Sequence, residues 1–451
     1  MNLSFFHHKF SILIIGLFLF FTSCKSKKKL TSQTTPKKIP TTVKEFIEGS
    51  EVFDKSFTGF ALYDPKKKKM VYQSDADKYF TPASNAKILT LFTSLSTLGD
   101  SIPALKYIVK NDSLIFWGTG DPSFLHPQLA DKQRIIDFLK NRKEKLFFAS
   151  SNFMDGRFGA GWAWDDYSYS FQVEKSSFPI HGNVVLFQSK PDDKAIDITP
   201  NPFKSLVANT PEMGGSTARF KRREFENIFD YNQQAPPRNG LKKEIPFQYS
   251  HEFFVELLSL ILEKDITLLD FHLIPSEDSK TIYSVPVDTI YEYMMQESDN
   301  FMAEQLLLMC SNEVFDTMNT HKIISHTIKN HFADLPDRPQ WRDGSGLSRY
   351  NLFTPRSVVG ILEKIYRAIP EERIFRIFPT GKKEGTIKNW YAPYVHAKTG
   401  TLSNRHCLSG YIKTKKGKTL IFSFMHNNYT TSSKPLKEEM EKILHFIHMN
   451  F

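Results

Sequence analysis

The 451-residue chain has only three cysteines, Cys24, Cys310 and Cys407. So sparse a set excludes a disulfide-framed scaffold. Cys310 and Cys407 each sit in an apolar stretch (Leu308-Met309-Cys310; Cys407-Leu408), which predicts buried thiols and not a bridge. No H-E-x-x-H segment exists, and His445 and His448, on one face of the last expected helix, lack a third ligand, so neither a metal nor a cofactor is expected. Acidic residues are missing from the first 44 positions, which carry eight Lys. The whole chain has 59 basic and 49 acidic residues, net +10; removing those eight leaves 51 against 49, net +2. The basic excess is therefore a tail. A broadly basic body is excluded, and no nucleic-acid partner is expected.

What is present supports a large packed core. Apolar residues make up 40% and aromatics 14%, with forty Phe. The length corresponds to about three domains, or one carrying large insertions. At the N-terminus, His7-His8-Lys9 precede the apolar run Phe10–Phe21, which is about a dozen residues against the ~20 that a spanning helix needs. Phe21-Thr22-Ser23-Cys24 resembles a bacterial lipoprotein cleavage site, so 1–23 reads as a signal peptide and Cys24 as a lipidated first residue; the plainer alternative is an ordinary signal peptide with an incidental Cys. Residues 24–44, rich in Lys, Thr, Ser and Pro near their start, read as a tether. An exported, membrane-anchored, periplasmic or cell-envelope protein is expected.

No internal repeat is apparent. Thr58–Asp64 and Met70–Ser74 flank a Pro-Lys turn and predict a hairpin. Ser84–Leu98 has helical spacing and stops at Gly99. Between 100 and 280, short strand-like runs (Leu105–Val109, Leu114–Trp117, Asn183–Gln188, Ala195–Ile198) alternate with turns, and one helix is expected at His251–Glu263. From about 286 the spacing is helical at Val287–Met295, Asp299–Cys310, Thr320–Phe332 and Pro355–Ile369. Val395–Lys398, His406–Lys413 and Thr419–His426 read as strands, and Lys434–Met449 as a final amphipathic helix. The pattern predicts an α/β unit formed by 45–99 and 281–451, with 100–280 as a β-rich insertion.

Three motifs carry candidate chemistry. In Ser84-Asn85-Ala86-Lys87 the residues three apart share a helix face, and a partly desolvated Lys can take the serine proton. Alone this is weak, since roughly one or two S-x-x-K matches are expected in such a chain. Ser298-Asp299-Asn300 has a plain alternative as a helix N-cap. Lys398-Thr399-Gly400-Thr401, on a strand, offers a cation and hydroxyls to a carboxylate; the plain alternative is a strand end. All three in this order, on helix, helix start and strand, are far less expected by chance.

The ordered set is that of penicillin-binding proteins and class A β-lactamases. The chain resembles the low-molecular-mass (class C) penicillin-binding proteins of the D-Ala-D-Ala carboxypeptidase/endopeptidase kind. Asp343-Gly344-Ser345-Gly346-Leu347-Ser348-Arg349, Ala303-Glu304, Gly118-Thr119-Gly120-Asp121-Pro122 and Gly161-Trp162-Ala163-Trp164-Asp165-Asp166 resemble further family segments. The long gap between Ser84 and Ser298 and the lack of an E-x-x-L-N segment favour a carboxypeptidase over a β-lactamase. The resemblance implies a transpeptidase-type fold, helices packed on an antiparallel sheet. It implies peptidoglycan stem peptides as substrate and β-lactams as inhibitors. Ser84, Lys87, Ser298, Asn300 and Lys398 are then catalytic, and Thr399, Gly400 and Thr401 bind substrate. Arg349 and the Asp155–Asp166 segment are expected to contact the third stem residue; alternatively Arg349 caps a turn and the Trp pair is insertion core. The rival readings are a β-lactamase or esterase on the same scaffold, and a non-catalytic peptidoglycan-binding lipoprotein.

Overall fold

The computed structural model describes residues 42–129, 133–191, 195–213, 220–232, 239–269 and 278–451. The expected signal peptide, Cys24 and most of the tether lie outside the described residues. Thr42, at the tether's end, already caps the helix Val43–Glu48, accepting a hydrogen bond from the Glu45 N–H.

The first and last strands of the chain share one antiparallel sheet. Its order is Val395–Leu402, Arg405–Lys413, Thr419–Asn427, Phe57–Asp64, Lys69–Ser74. Successive side chains of a strand point to opposite faces, and the apolar residues here use both. Ala61, Cys407, Tyr411, Ile421 and Met425 face helices Ala86–Thr97, Val287–Gln296, Asn300–Phe315, Thr320–His331 and Pro355–Ala368. Phe60, Leu62, Leu408, Ile412, Phe422 and Phe424 face the first helix and the last, Lys434–Asn450. A sheet covered on both sides needs apolar residues without alternation, and Thr419–Asn427 is buried throughout. Thr354 caps the helix that starts at Pro355, where the missing proline N–H costs nothing.

A second five-stranded sheet has the order Ile266–Leu269, Lys145–Ala149, Ser113–Gly118, Ser101–Lys110, Lys280–Pro286. Its first two pairings are parallel and the other two antiparallel, and the short helix Arg134–Lys140 lies in the crossover from Ser113–Gly118 to Lys145–Ala149. Two three-stranded sheets and helix His251–Leu262 complete the region. Its core is rich in Phe, including Phe116, Phe148, Phe178, Phe187, Phe203 and Phe254. The architecture is α/β, with helices on an antiparallel sheet. The two cysteines of the described part are buried free thiols, as expected. Among the described residues no helix is long and apolar enough to cross a membrane, and no cluster could hold a metal ion.

Candidate active site

The nucleophile candidate sits on a strained turn. Ser84 lies in the tight turn Ala83–Asn85 that leads into the helix Ala86–Thr97, so the expected helix begins as a 3-10 turn. Ala83 has a left-handed φ of 48°, a conformation that costs about 1–3 kcal/mol without external support. Support comes from two close backbone approaches. A Cβ on Gly346 would lie 1.8 Å from the Ala83 carbonyl oxygen, and one on Gly400 would lie 2.3 Å from that of Pro82. Asn85 Nδ2 also donates to the Lys398 carbonyl at 2.9 Å. Helix turn, signature loop and strand are thereby fixed to one another.

Lys87 is fully buried. Its Nζ donates to Ser84 Oγ at 3.1 Å, to Asn300 Oδ1 at 2.6 Å and to the Ser345 carbonyl at 2.8 Å. Burial pushes its pKa down to about 8, opposed by Asp299, Asp343 and Glu304. Asn300 holds its orientation because its Nδ2 donates to the Phe171 carbonyl at 2.8 Å.

The Ser298-Asp299-Asn300 segment fits both of its readings. Asp299 caps Asn300–Phe315, accepting from the Met302 N–H at 2.8 Å. Its flanking residues face the two lysines. Asn300 meets Lys87, and Ser298, itself at φ 59°, accepts from Lys398 Nζ at 2.8 Å. Lys398 is fully buried and also donates to the Thr399 carbonyl at 2.9 Å. Burial and the nearby Lys87 charge push its pKa well below the ordinary lysine value. Thr399 Oγ1 donates to Thr386 Oγ1 at 2.8 Å, and Thr401 Oγ1 lies 3.2 Å from His406 Nδ1.

The signature loop is organised by Asp343. Its Oδ1 accepts from the Gly346 N–H at 2.9 Å and Asn351 Nδ2 at 2.7 Å. Its Oδ2 accepts from the Ser348 N–H at 2.6 Å and Trp162 Nε1 at 2.8 Å. Glu304 Oε1 accepts from the Ser345 N–H at 2.8 Å, on the peptide neighbouring the carbonyl that holds Lys87. Burial raises the pKa of Glu304, reinforced by Asp343.

A cleft of about 680 Å³ runs from Ser84, Ser298 and Asn300 to Asp166 and Arg349. A hollow of about 210 Å³ adjoins Ser84, Ser298, Thr399, Thr401 and His406. Arg349 lies near Asp166, whose pKa burial and Asp165 raise and Arg349 lowers. Asp155 does not join them: it pairs with Lys175 at 3.1 Å and accepts from the Thr320 N–H. The Trp pair is not insertion core, since Trp162 bonds Asp343 and Trp164 is 74% exposed. The Phe171 carbonyl and His406 were not foreseen from sequence. Neither carries a motif of its own, and only tertiary pairing brings them to the site.

Fold and site define a serine hydrolase of the penicillin-binding-protein type. The chain belongs to the D-Ala-D-Ala carboxypeptidase 3 (S13) family, whose model matches residues 41–448, and it is by family a serine-type D-Ala-D-Ala carboxypeptidase. It is 22% identical to the D-alanyl-D-alanine carboxypeptidase DacB of Haemophilus influenzae, covering 88% of this chain and 90% of that one. It is 20% identical to the penicillin-sensitive carboxypeptidase A of Dictyostelium discoideum, covering 81% of each. The crystal structure of penicillin binding protein 4 from Haemophilus influenzae superposes with a TM-score of 0.71 at 20% identity, covering 90% and 99%. The peptidoglycan endopeptidase Bd3459 of Bdellovibrio bacteriovorus gives 0.50 at 15% identity, covering 86% and 92%.

Proposed function

We propose that the chain hydrolyses the terminal D-Ala-D-Ala bond, or the equivalent cross-link, of peptidoglycan stem peptides through an acyl-enzyme at Ser84. The observation that carries this reading is the set of contacts at Lys87. Of its three partners, the Asn300 oxygen and the Ser345 carbonyl can only accept. Once Lys87 is neutral, its lone pair has one useful direction, toward the Ser84 hydroxyl hydrogen. Ser84 Oγ then bonds the substrate carbonyl carbon while Lys87 takes the proton. The oxyanion is met by the backbone N–H groups of Ser84 and Thr401. The C–N bond breaks as Ser298, beside Lys398, passes a proton to the leaving amine. Water releases the acyl group. Asn300 holds the substrate amide, and Lys398 and the Thr401 hydroxyl hold the terminal carboxylate, with Thr399, whose own hydroxyl donates to Thr386, lining their side of the hollow and Gly400 giving room for the close approach. β-Lactams stall the enzyme at the acyl stage.

The finer readings rest on narrower support. Arg349 beside Asp166 suits a substrate whose third residue carries charge. Arg349→Ala is expected to lower kcat/KM about tenfold on a charged third residue and little on an uncharged one; equal losses would count against selectivity. Separate sheets and a separate Phe core support an insertion over 100–280 in a catalytic unit of 45–99 and 281–451. Cys24 is the lipid anchor that holds the enzyme at a membrane surface of the cell envelope. One mass-spectrometric series tests the whole reading. Penicillin should add covalently to the peptide holding Ser84. A pentapeptide and a cross-linked dimer should reveal the bond cut. The intact mature chain should begin at an acylated Cys24. An adduct on any other peptide would overturn the mechanism.

A further inference from the structure

We propose that His406 is a positioning residue for substrate binding: its Nδ1–H donates to Thr401 Oγ1 and so leaves the Thr401 hydroxyl hydrogen for the substrate carboxylate. The inference rests on the carboxylate role just given to Thr401. It follows from counting hydrogens at that end of the site. A hydroxyl has a single hydrogen to donate. That of Thr399 is directed to Thr386 Oγ1 at 2.8 Å. Two donations of Lys398 go to Ser298 Oγ and the Thr399 carbonyl. Thr401, exposed at the mouth of both hollows, is the remaining motif hydroxyl, and its oxygen lies 3.2 Å from His406 Nδ1.

The ring's tautomer decides what Thr401 offers. With a bare Nδ1, the hydroxyl hydrogen turns inward to the ring, and the mouth presents oxygen lone pairs that repel an anion. With Nδ1–H, the oxygen accepts from the ring and its hydrogen faces outward. His406 Nε2 is buried and has no hydrogen-bond partner. Placing the ring hydrogen on Nε2 would bury an orphaned N–H, which native interiors rarely tolerate. The Nδ1–H form avoids this. The ring cannot swing away, because His406 is the register partner of Thr401 in the hairpin and is only 1% exposed. Burial, with the Lys437 charge, keeps it neutral by lowering its pKa to about 3.

The test compares His406→Phe and His406→Asn on peptides ending in D-Ala-D-Ala and in D-Ala-D-alaninamide, with folding followed by thermal melting. Phe keeps the bulk and loses the donor; the Asn Nδ2 occupies the place of Nδ1. His406→Phe is expected to raise KM on the carboxylate peptide about tenfold, with kcat within about twofold, and to leave the amide peptide nearly unchanged. His406→Asn should bring KM back to within about threefold. A KM rise of the same size on the amide peptide, a fall in kcat with KM intact, or an Asn variant no better than Phe would overturn the proposal. The underlying reading fails separately, by a penicillin adduct that does not map to Ser84.

Discussion

A Lys87→Met enzyme is expected to lose about three to four orders of magnitude in the rate of Ser84 acylation while remaining folded, as stopped-flow with a chromogenic or fluorescent penicillin would measure. General-base catalysis is typically worth 10² to 10⁴, and the buried amine is the basic group beside the Ser84 oxygen at 3.1 Å. Methionine keeps most of the volume in a fully buried site. The native pH profile offers a second signature. With the Lys87 pKa lowered to about 8, roughly a tenth of the molecules hold it neutral at pH 7. The base must be unprotonated, so acylation should climb with pH and level off above about 8. In Lys87→Met that limb should disappear. A variant that retains the limb would move the base elsewhere, with Lys398, also lowered by burial, as the alternative amine.

Asp343→Asn is expected to destabilise the folded chain by about 3–5 kcal/mol and to abolish measurable acylation. Each Asp343 oxygen accepts two hydrogen bonds from N–H donors. An asparagine amide can satisfy only one of the two pairs. Whichever way it flips, its NH₂ group faces two donors inside a buried pocket, and unsatisfied buried donors cost about 1–3 kcal/mol each. The damage is expected to reach Ser84, the proposed nucleophile, by a short route. Gly346 rests against Ala83, and the Ser345 carbonyl holds Lys87, so a loosened loop releases both. Thermal and denaturant unfolding beside penicillin labelling would measure the two effects. A stable but inactive variant would mean that the loop is held by other contacts.

The three motifs were legible because each packs its chemistry into three or four consecutive residues whose local structure sets their spacing. Ser84 and Lys87 meet across one turn, and Asp299 caps a helix while its neighbours reach two different lysines. What connects the motifs was not legible. Trp162 joins Asp343 only through tertiary packing. His406 meets Thr401 because the third motif is one arm of a hairpin whose strands run Val395–Leu402 and Arg405–Lys413. The sequence pattern gives a strand at Val395–Lys398 without a partner, and the structure carries it on to Leu402. The turn at Asn404, with φ 65°, sets the register that pairs the two residues. Short strands such as Lys145–Ala149 and Ile266–Leu269 were missed because four or five apolar residues carry too little periodicity to separate strand from loop. Of the two readings that the sequence left open for the Trp segment, insertion core does not hold, because Trp162 bonds Asp343 and Trp164 is exposed, and nothing local to the segment separates the two.

The sheet order has a consequence for when this enzyme can work. Phe57 pairs with Asn427, so an early strand waits for one near the chain's end. Lys398 follows Ser84 by 314 residues (398 − 84), so it is synthesised well after it. A partial chain therefore contains a serine and its lysine but no central sheet to strain the turn beneath them and no cation to meet the substrate. Such long-range closure is slow compared with local folding. On the proposed mechanism hydrolysis thus waits for strands far apart in the chain, and a cut before Val395 would be expected to silence Ser84, more than three hundred residues away.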